Sequence, residues 1–441
     1  MAKTIVQKLT PRIPSRLRPL FRERALQTAA APLRAGTRVS VFTDTFDEVN
    51  GVAQTYQRLW EYAVRTDRRL DIYCFSSDGE EGEEWQGRAC IHRLRRVAPL
   101  TYYENLSVEM APNLPLLRAL YRSRPHVIHA AAPDVLGVHG SLLAKLRRVP
   151  LVGFYHTCLP EYVELYLQAR SERLARIATH VSRAGVKAFY NRCNLVLATT
   201  PAMGERLKAV GVRRPVRVCP GGVDTDAFHP RHRAERPVGE PPTILYVGRL
   251  AVEKNLAWYA DILNSLRAGG LRFTARFVGD GPFRQELEAR LPWAEFSGYL
   301  RGADLSRAYA SADVFAFPSR TDTFGNVIVE AMASGLPCVV ADPCGPGETV
   351  RHGHTGFVAP ETYDFSGRLA DLVRDAALRE EMSVSARVLG EGYSWDAIFD
   401  ELWARYDDLR LTRARRRRLR RWSLRRYPRS GGINGGSGTV Q

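Results

Sequence analysis

Short apolar runs alternate with stretches of helical spacing along this chain, the series breaks once, and it then starts again. The first series reads "TRVSVFTDTF", "LDIYCFSS", "PHVIHAAAP", "PLVGFYHT" and "NLVLATT". The second reads "TILYVGRL", "FTARFVGDGP", "WAEFSGYL", "ADVFAFPS", "PCVVAD" and "TGFVAP". Runs of this length are strands covered on both faces, and strands alternating with helices build parallel sheets. The break is the polar, proline-rich "RHRAERPVGEPP", residues 231–242, which reads as a linker. The expectation is therefore an α/β chain of two doubly wound domains, residues 36–230 and 243–393, each long enough for its own core. A further helix follows at 394–408. Two such domains facing each other leave a cleft at the carboxyl ends of their strands, where ligands bind in sheets of this kind.

The charge of +17 belongs to the ends of the chain. Residues 1–35 hold eight Lys/Arg and one Glu, a net of +7, and residues 409–441 hold eleven Arg and no acid, a net of +11. Subtraction leaves 17 − 7 − 11 = −1 for residues 36–408. The body is neutral, with a basic extension at 1–35 and a basic, Gly-rich tail at 409–441. The seven cysteines include no C-x-x-C pair, which argues against a zinc ribbon or a disulfide scaffold. The first 35 residues lack the apolar stretch of a secretory signal, and no run suggests a membrane-spanning helix.

Chemistry concentrates at strand ends of the second domain. Arg249 and Lys254 follow the first strand in "VGRLAVEKN". Gly279 lies in the tight turn "VGDGP". "SRTDTFGN" leads into the helix "NVIVEAMAS", which is apolar or small nearly all round and so should be buried on every side. Glu330 sits in its middle and is the only charged residue between Asp322 and Asp342. A buried carboxylate is costly unless something pairs with it. Its partner is either a set of ligand hydroxyls or an Arg packed alongside. The helix N-terminus at Gly325-Asn326, with two cations near it, makes a plausible cradle for a diphosphate.

Taken together, "GRLAVEKN", "GDGP", the two acids of "DTFGNVIVE" and "AMASGLPCVV" resemble the second domain of retaining family-four glycosyltransferases of the GT-B fold. "FTDTFDEVNGVAQT", "YHT" and "PGGVDTDAFHP" resemble landmarks of the first domain. Within that family, "DEVNGVAQT" and "SRTDTFGN" are most similar to bacterial GDP-mannose-dependent α-mannosyltransferases that act on lipid acceptors.

The resemblance implies GT-B architecture, two Rossmann-like domains across a cleft, and a role for each matching residue. Glu330 would bind both ribose hydroxyls of a nucleotide-diphosphate sugar. Asp322, where the family usually has Glu, would bind hydroxyls of the donor hexose; the alternative is that it caps a turn. The amides of Phe324, Gly325 and Asn326 would meet the sugar and the β-phosphate, and Arg249 and Lys254 would neutralise the departing diphosphate. Asn50, Gly51 and Val52 would form a loop over the phosphates, where a side chain at 51 would clash. His156 would hydrogen-bond the donor sugar; the alternative is a structural histidine.

The resemblance implies no metal and no cofactor beyond the donor itself. The reaction would move a hexose, mannose from GDP-mannose or a glucose-type sugar from a UDP donor, to a lipid or lipid-linked acceptor with retention. The competing function is a nucleotide-sugar epimerase, or a scaffold without activity, on the same fold. Leu411, Leu419, Trp422 and Leu424 interrupt the arginines of 410–430. That mixture suits an anionic membrane surface, so a cytoplasmic enzyme held peripherally at the inner face is expected. Nucleic-acid binding has only charge to support it, and a solvated tail is the remaining alternative.

Overall fold

The structure is a computed structural model. It describes residues 36–426 except 49, 78, 96–98, 104–105, 110–122, 169–170, 236–238 and 342–343. The expected extension at 1–35 and the Gly-rich end at 427–441 lie outside the described residues.

The first domain is built on an eight-stranded sheet in the order β10-β9-β8-β7-β1-β2-β4-β3. Its strands are β1 (Arg38–Phe42), β2 (Arg69–Phe75), β3 (Gly82–Gln86), β4 (Ala89–Leu94), β7 (Val127–Ala130), β8 (Leu151–Tyr155), β9 (Leu195–Ala198) and β10 (Val216–Val218). All pairings are parallel except that of β3 with β4 at one edge. A small hairpin of β5 (Pro99–Tyr103) and β6 (Leu106–Glu109) stands apart.

The second domain has six parallel strands in the order β13-β12-β11-β14-β15-β16. These are β11 (Thr243–Val247), β12 (Thr274–Val278), β13 (Glu295–Phe296), β14 (Val314–Phe317), β15 (Cys338–Val340) and β16 (Gly356–Val358). Residues of β1, β7, β8, β11, β14 and β15 are almost wholly buried, as runs without polar alternation should be. No disulfide joins any of the seven cysteines among the described residues.

Three helices position the cleft. Helix α1 (Gly51–Arg65) starts at Asn50, whose side chain accepts from the Ala53 amide at 2.8 Å, an N-cap that ends the preceding loop. Helix α2 (Asn326–Ala333) carries Glu330. Helix α3 (Trp395–Arg426) leaves the second domain and packs on the first. Trp395, Ile398, Phe399, Leu402, Trp403 and Tyr406 recur with the 3-1-3 spacing of one helical face, and all six are buried in the core of the first domain. The chain thus crosses between domains twice. The crossings lie side by side where the Val223 amide donates to the Tyr393 carbonyl at 2.8 Å.

The boundary expected at 408/409 needs correction. Helix α3 runs through it unbroken to Arg426. Leu409 still packs against the first-domain core, Arg410 donates to Thr37, and Arg413 donates to the Arg147 carbonyl at 3.2 Å. The reason is cooperative: arginine is a good helix former, and a helix already nucleated by the buried face of 395–406 extends at little cost.

Candidate active site

In the second sheet the strand order reverses between β11 and β14, and the crevice of such a sheet opens there, beyond the carboxyl ends. Several of the residues expected from the sequence lie at it. Lys254 follows β11 in a short 3-10 turn, and its Nζ lies 2.8 Å from each carboxylate oxygen of Asp322, which follows β14. Both side chains are largely buried, at 14% and 20% exposure. Burial works against the lysine charge, but Asp322, aided by Tyr162 and Glu253, outweighs it and holds the ammonium up at about 12. Asp322 is therefore paired with a cation and is not a simple turn cap. The backbone carbonyl of Arg249 accepts from the Tyr246 hydroxyl at 3.0 Å, which fixes the loop that carries the arginine. Gly279 sits beside that loop with φ +135°, where an added Cβ would stand 2.0 Å from the Gly248 carbonyl oxygen. The glycine of "VGDGP" is therefore required for backbone against backbone.

Helix α2 begins at Gly325, which has φ +82° and leaves no room for a Cβ beside Ile328. The turn aims the amides of the first helical turn, which have no acceptor inside the helix, at the cleft. The ring of Phe324 is buried against Tyr393 and so anchors this turn.

One turn further on, Glu330 is 4% exposed. No arginine pairs with it among the described residues. Its Oε2 accepts from the Tyr309 hydroxyl at 2.9 Å and its Oε1 from Gln54 Nε2 at 3.1 Å. Burial raises the carboxyl above its ordinary value, and these two hydrogen bonds offset part of the rise.

Gln54 comes from α1 in the first domain, so the acid of the second domain is satisfied across the cleft. The same side chain accepts from Asn326 Nδ2 at 3.1 Å. Gly51 stands near Asn326 of α2, but not in the expected loop: Asn50 caps α1, Gly51 and Val52 are its first turn, and Val52 packs on the first-domain core. Nor does the protein itself crowd residue 51, since a Cβ there would meet only Asn326 Nδ2 at an ordinary 3.6 Å. The tight glycine is Gly221, where a Cβ would fall 2.0 Å from Asn326 Oδ1.

His156 follows β8 and faces the same cleft. Its carbonyl accepts from the Thr323 hydroxyl, and the Thr323 carbonyl in turn accepts from Thr199 at 2.7 Å. Its ring stacks on Phe154 at 3.7 Å, and its Nε2 lies 3.2 Å from the Tyr56 hydroxyl. Burial, with His129 nearby, pushes its pKa down to about 3, so the ring is neutral at ordinary pH.

Lys254, Asp322, Asn326, Glu330, Gly51 and His156 thus meet partners at one cleft, with Arg249 and Gly279 on loops beside it. The sequence reading missed Gln54, Tyr56, Tyr309 and Gly221. Among the described residues one set could hold a metal, Glu83, Cys90 and His92, and it lies on the β3–β4 edge of the first sheet. There both ring nitrogens of His92 already face carboxylates, Asp71 at 3.2 Å and Glu83 at 3.3 Å.

Comparison with known proteins bears on what this cleft does. Residues 49–227 match Glycosyltransferase Family 4, and residues 241–375 match Glycosyl transferases group 1. The chain is 33% identical to a GDP-mannose-dependent alpha-mannosyltransferase of Mycobacterium tuberculosis, over 85% of this chain and 97% of that protein. It is 31% identical to the sulfoquinovosyl transferase SQD2 of Arabidopsis thaliana, over 82% of this chain and 71% of that protein. Among solved structures, sucrose-phosphate synthase from Thermosynechococcus elongatus superposes with a TM-score of 0.71 at 20% identity, over 85% of this chain and 99% of that one.

Proposed function

The chain belongs to family 4 of the glycosyltransferases and has the GT-B fold, and on that premise we propose that it moves mannose from GDP-mannose to a lipid or lipid-linked acceptor with retention at the anomeric carbon. One observation carries most of this reading. Two carboxylates, Asp322 and Glu330, flank one helix N-terminus at the switch point of the second sheet, and each has partners that a donor can replace.

Glu330 exchanges the Gln54 amide for ribose hydroxyls. Asp322 turns to the hexose hydroxyls and releases Lys254 to the diphosphate, where Arg249 joins it. The amides of Gly325 and Asn326 receive the β-phosphate. His156 donates to the hexose. The leaving phosphate takes the acceptor proton on the face it departs from, so the protein supplies position and charge rather than a nucleophile. No metal enters this scheme: two cations and a helix terminus carry the charge it would balance.

The basic length of α3 supports a membrane-borne acceptor. Residues 410–426 hold ten arginines and no acid, and no helix among the described residues is long and apolar enough to cross a membrane. Attachment is then electrostatic and peripheral, at a cytoplasmic face.

The test is transfer of label from GDP-mannose into the lipid phase, with UDP-glucose in parallel, and the anomeric configuration of the product read by NMR. An α-linked product supports the reading. Isomerisation of the donor without an acceptor would make the protein an epimerase, and transfer only from the UDP sugar would correct the donor.

A further inference from the structure

Three buried side chains and the half-buried His156 connect the cleft to helix α3. The Tyr56 hydroxyl lies 3.2 Å from His156 Nε2 and 3.0 Å from His129 Nε2. The Tyr406 hydroxyl, on α3, meets His129 Nδ1 on the other side. His129 and Tyr406 are 0% exposed and Tyr56 1%. These three side chains are shut off from solvent, so their protons are placed within the row.

The proton count has one full solution. Among the described residues the Tyr406 hydroxyl has His129 as its sole hydrogen-bond partner, so its proton goes to His129 Nδ1. A buried hydroxyl left without an acceptor would cost about 1–3 kcal/mol. With Nδ1 accepting, neutral His129 carries its proton on Nε2 and donates it to the Tyr56 oxygen. Tyr56 has one proton left to give and gives it to His156 Nε2. His156, also neutral, must then hold its proton on Nδ1, the ring nitrogen that has no protein partner among the described residues. The opposite polarity makes His156 Nε2 the donor and ends with the Tyr406 proton stranded in the core. Burial holds both imidazoles neutral, with pKa values of about 3, so a doubly protonated ring does not open a third arrangement.

We propose that Tyr406, His129 and Tyr56 are positioning residues that lock His156 as the Nδ1–H tautomer, so that it offers the donor sugar a hydrogen-bond donor and never a base. This deepens the glycosyltransferase reading above and rests on it for the identity of the partner, a sugar oxygen. It also gives Tyr406 a task apart from packing.

The test reads the tautomer directly, from long-range 15N–1H correlations of histidine-labelled full-length protein, with His129→Gln and His156→Gln used to assign signals. The unmodified protein should show Nδ1–H at His156 and Nε2–H at His129. Tyr406→Phe deletes the hydroxyl that sets the polarity, so His156 should become a mixture of tautomers. With that loss kcat should fall about tenfold while the donor KM moves less than about twofold, as for an interaction made in the transition state. Gln at 129 offers an oxygen to Tyr406 and an N–H to Tyr56, so His129→Gln should lose less kcat than His129→Leu.

Nε2–H at His156 in the unmodified protein overturns the proposal. So does an unchanged His156 tautomer in both Tyr406→Phe and His129→Leu. Failure of sugar transfer in the unmodified protein would sink the functional reading, while the tautomer signals still decide the relay.

Discussion

The two domains share a strand order around their switch points but equip the cleft with different chemistry. On the second domain the groups that face it are charged: Arg249, Lys254, Asp322 and Glu330. On the first they are neutral: Gln54, Tyr56, His156 and, behind them, His129. The charged side suits a nucleotide diphosphate, whose own charge must be met. The neutral side suits sugar hydroxyls, which are recognised by direction more than by charge. The two sides also meet. Gln54 spans from α1 to Glu330 and Asn326, and Tyr166 donates to Glu253 at 2.8 Å, so the cleft is closed by neutral donors placed on acceptors of the other domain.

This division predicts that the second domain fails when a charge is removed and the first when a neutral group is charged. Lys254→Ala should give the largest effect, a loss of about 10²–10³ in kcat, as for deletion of a group that stabilises a developing anion. Arg249→Ala should fall in the same range, and the double variant should lose less than the product if both cations serve one phosphate. Steady-state kinetics on the three variants decides; full multiplicativity would place the cations on separate groups.

Acid should act on the first domain. His129 and His156 have folded pKa values of about 3, well below the ordinary 6.5. The unfolded chain therefore binds more protons than the folded one between those limits. Stability is fully present above pH 6.5 and is lost as the pH falls toward 3, at up to about 1.4 kcal/mol per pH unit for each ring. Urea unfolding at pH 7, 6 and 5 should show this slope, and His129→Gln should remove about half of it. An unchanged slope would mean that the rings are not held neutral in the fold.

Two smaller effects sharpen the contrast. Glu330→Gln keeps the volume but sets an amide against the donors of Tyr309 and Gln54. Donor affinity should fall about tenfold with little change in melting temperature, since one charge-assisted hydrogen bond is worth about 1.5–3 kcal/mol. Unaltered binding of GDP-mannose by calorimetry would rule out the ribose role. Gln54→Ala should weaken the donor only about two- to threefold, since it removes a contact that a ribose replaces.

Most of the fold and half of the cleft were legible in the sequence, for specific reasons. Strands such as "TILYV" and "VFAF" are unbroken apolar runs, which only a doubly covered sheet accommodates. Glu330 stood out because it is the one charge in an otherwise apolar helix. Asp322 and Lys254 could each be picked out, but not as a pair, because 68 residues separate them and only the return of β14 beside β11 brings them together. Gln54, Tyr56 and Tyr309 were invisible for a related reason. Each sits on a helix with no motif around it, and its partner lies on another element or, for Gln54, in the other domain. His129 lies in an apolar strand with no motif around it, and its place there does not by itself disclose the hydroxyls on either side of it. The change from acids to arginines after Asp408 read as the start of a basic tail, whereas the helix they extend was already anchored.

That anchored helix also fixes a length and an angle. Arg413 still reaches the first domain, and thirteen residues separate it from Arg426, a span of about 20 Å at the ordinary helical rise. A rod of that length, held at one end inside a domain, is a ruler: it sets how far the cleft stands from whatever its outer end rests on. It is also a dial, because inserting a single residue beyond Arg413 would push the outer end out by about 1.5 Å and turn it through about 100°. Reach and bearing are thus coupled in one element, and only an insertion of whole turns alters the reach alone.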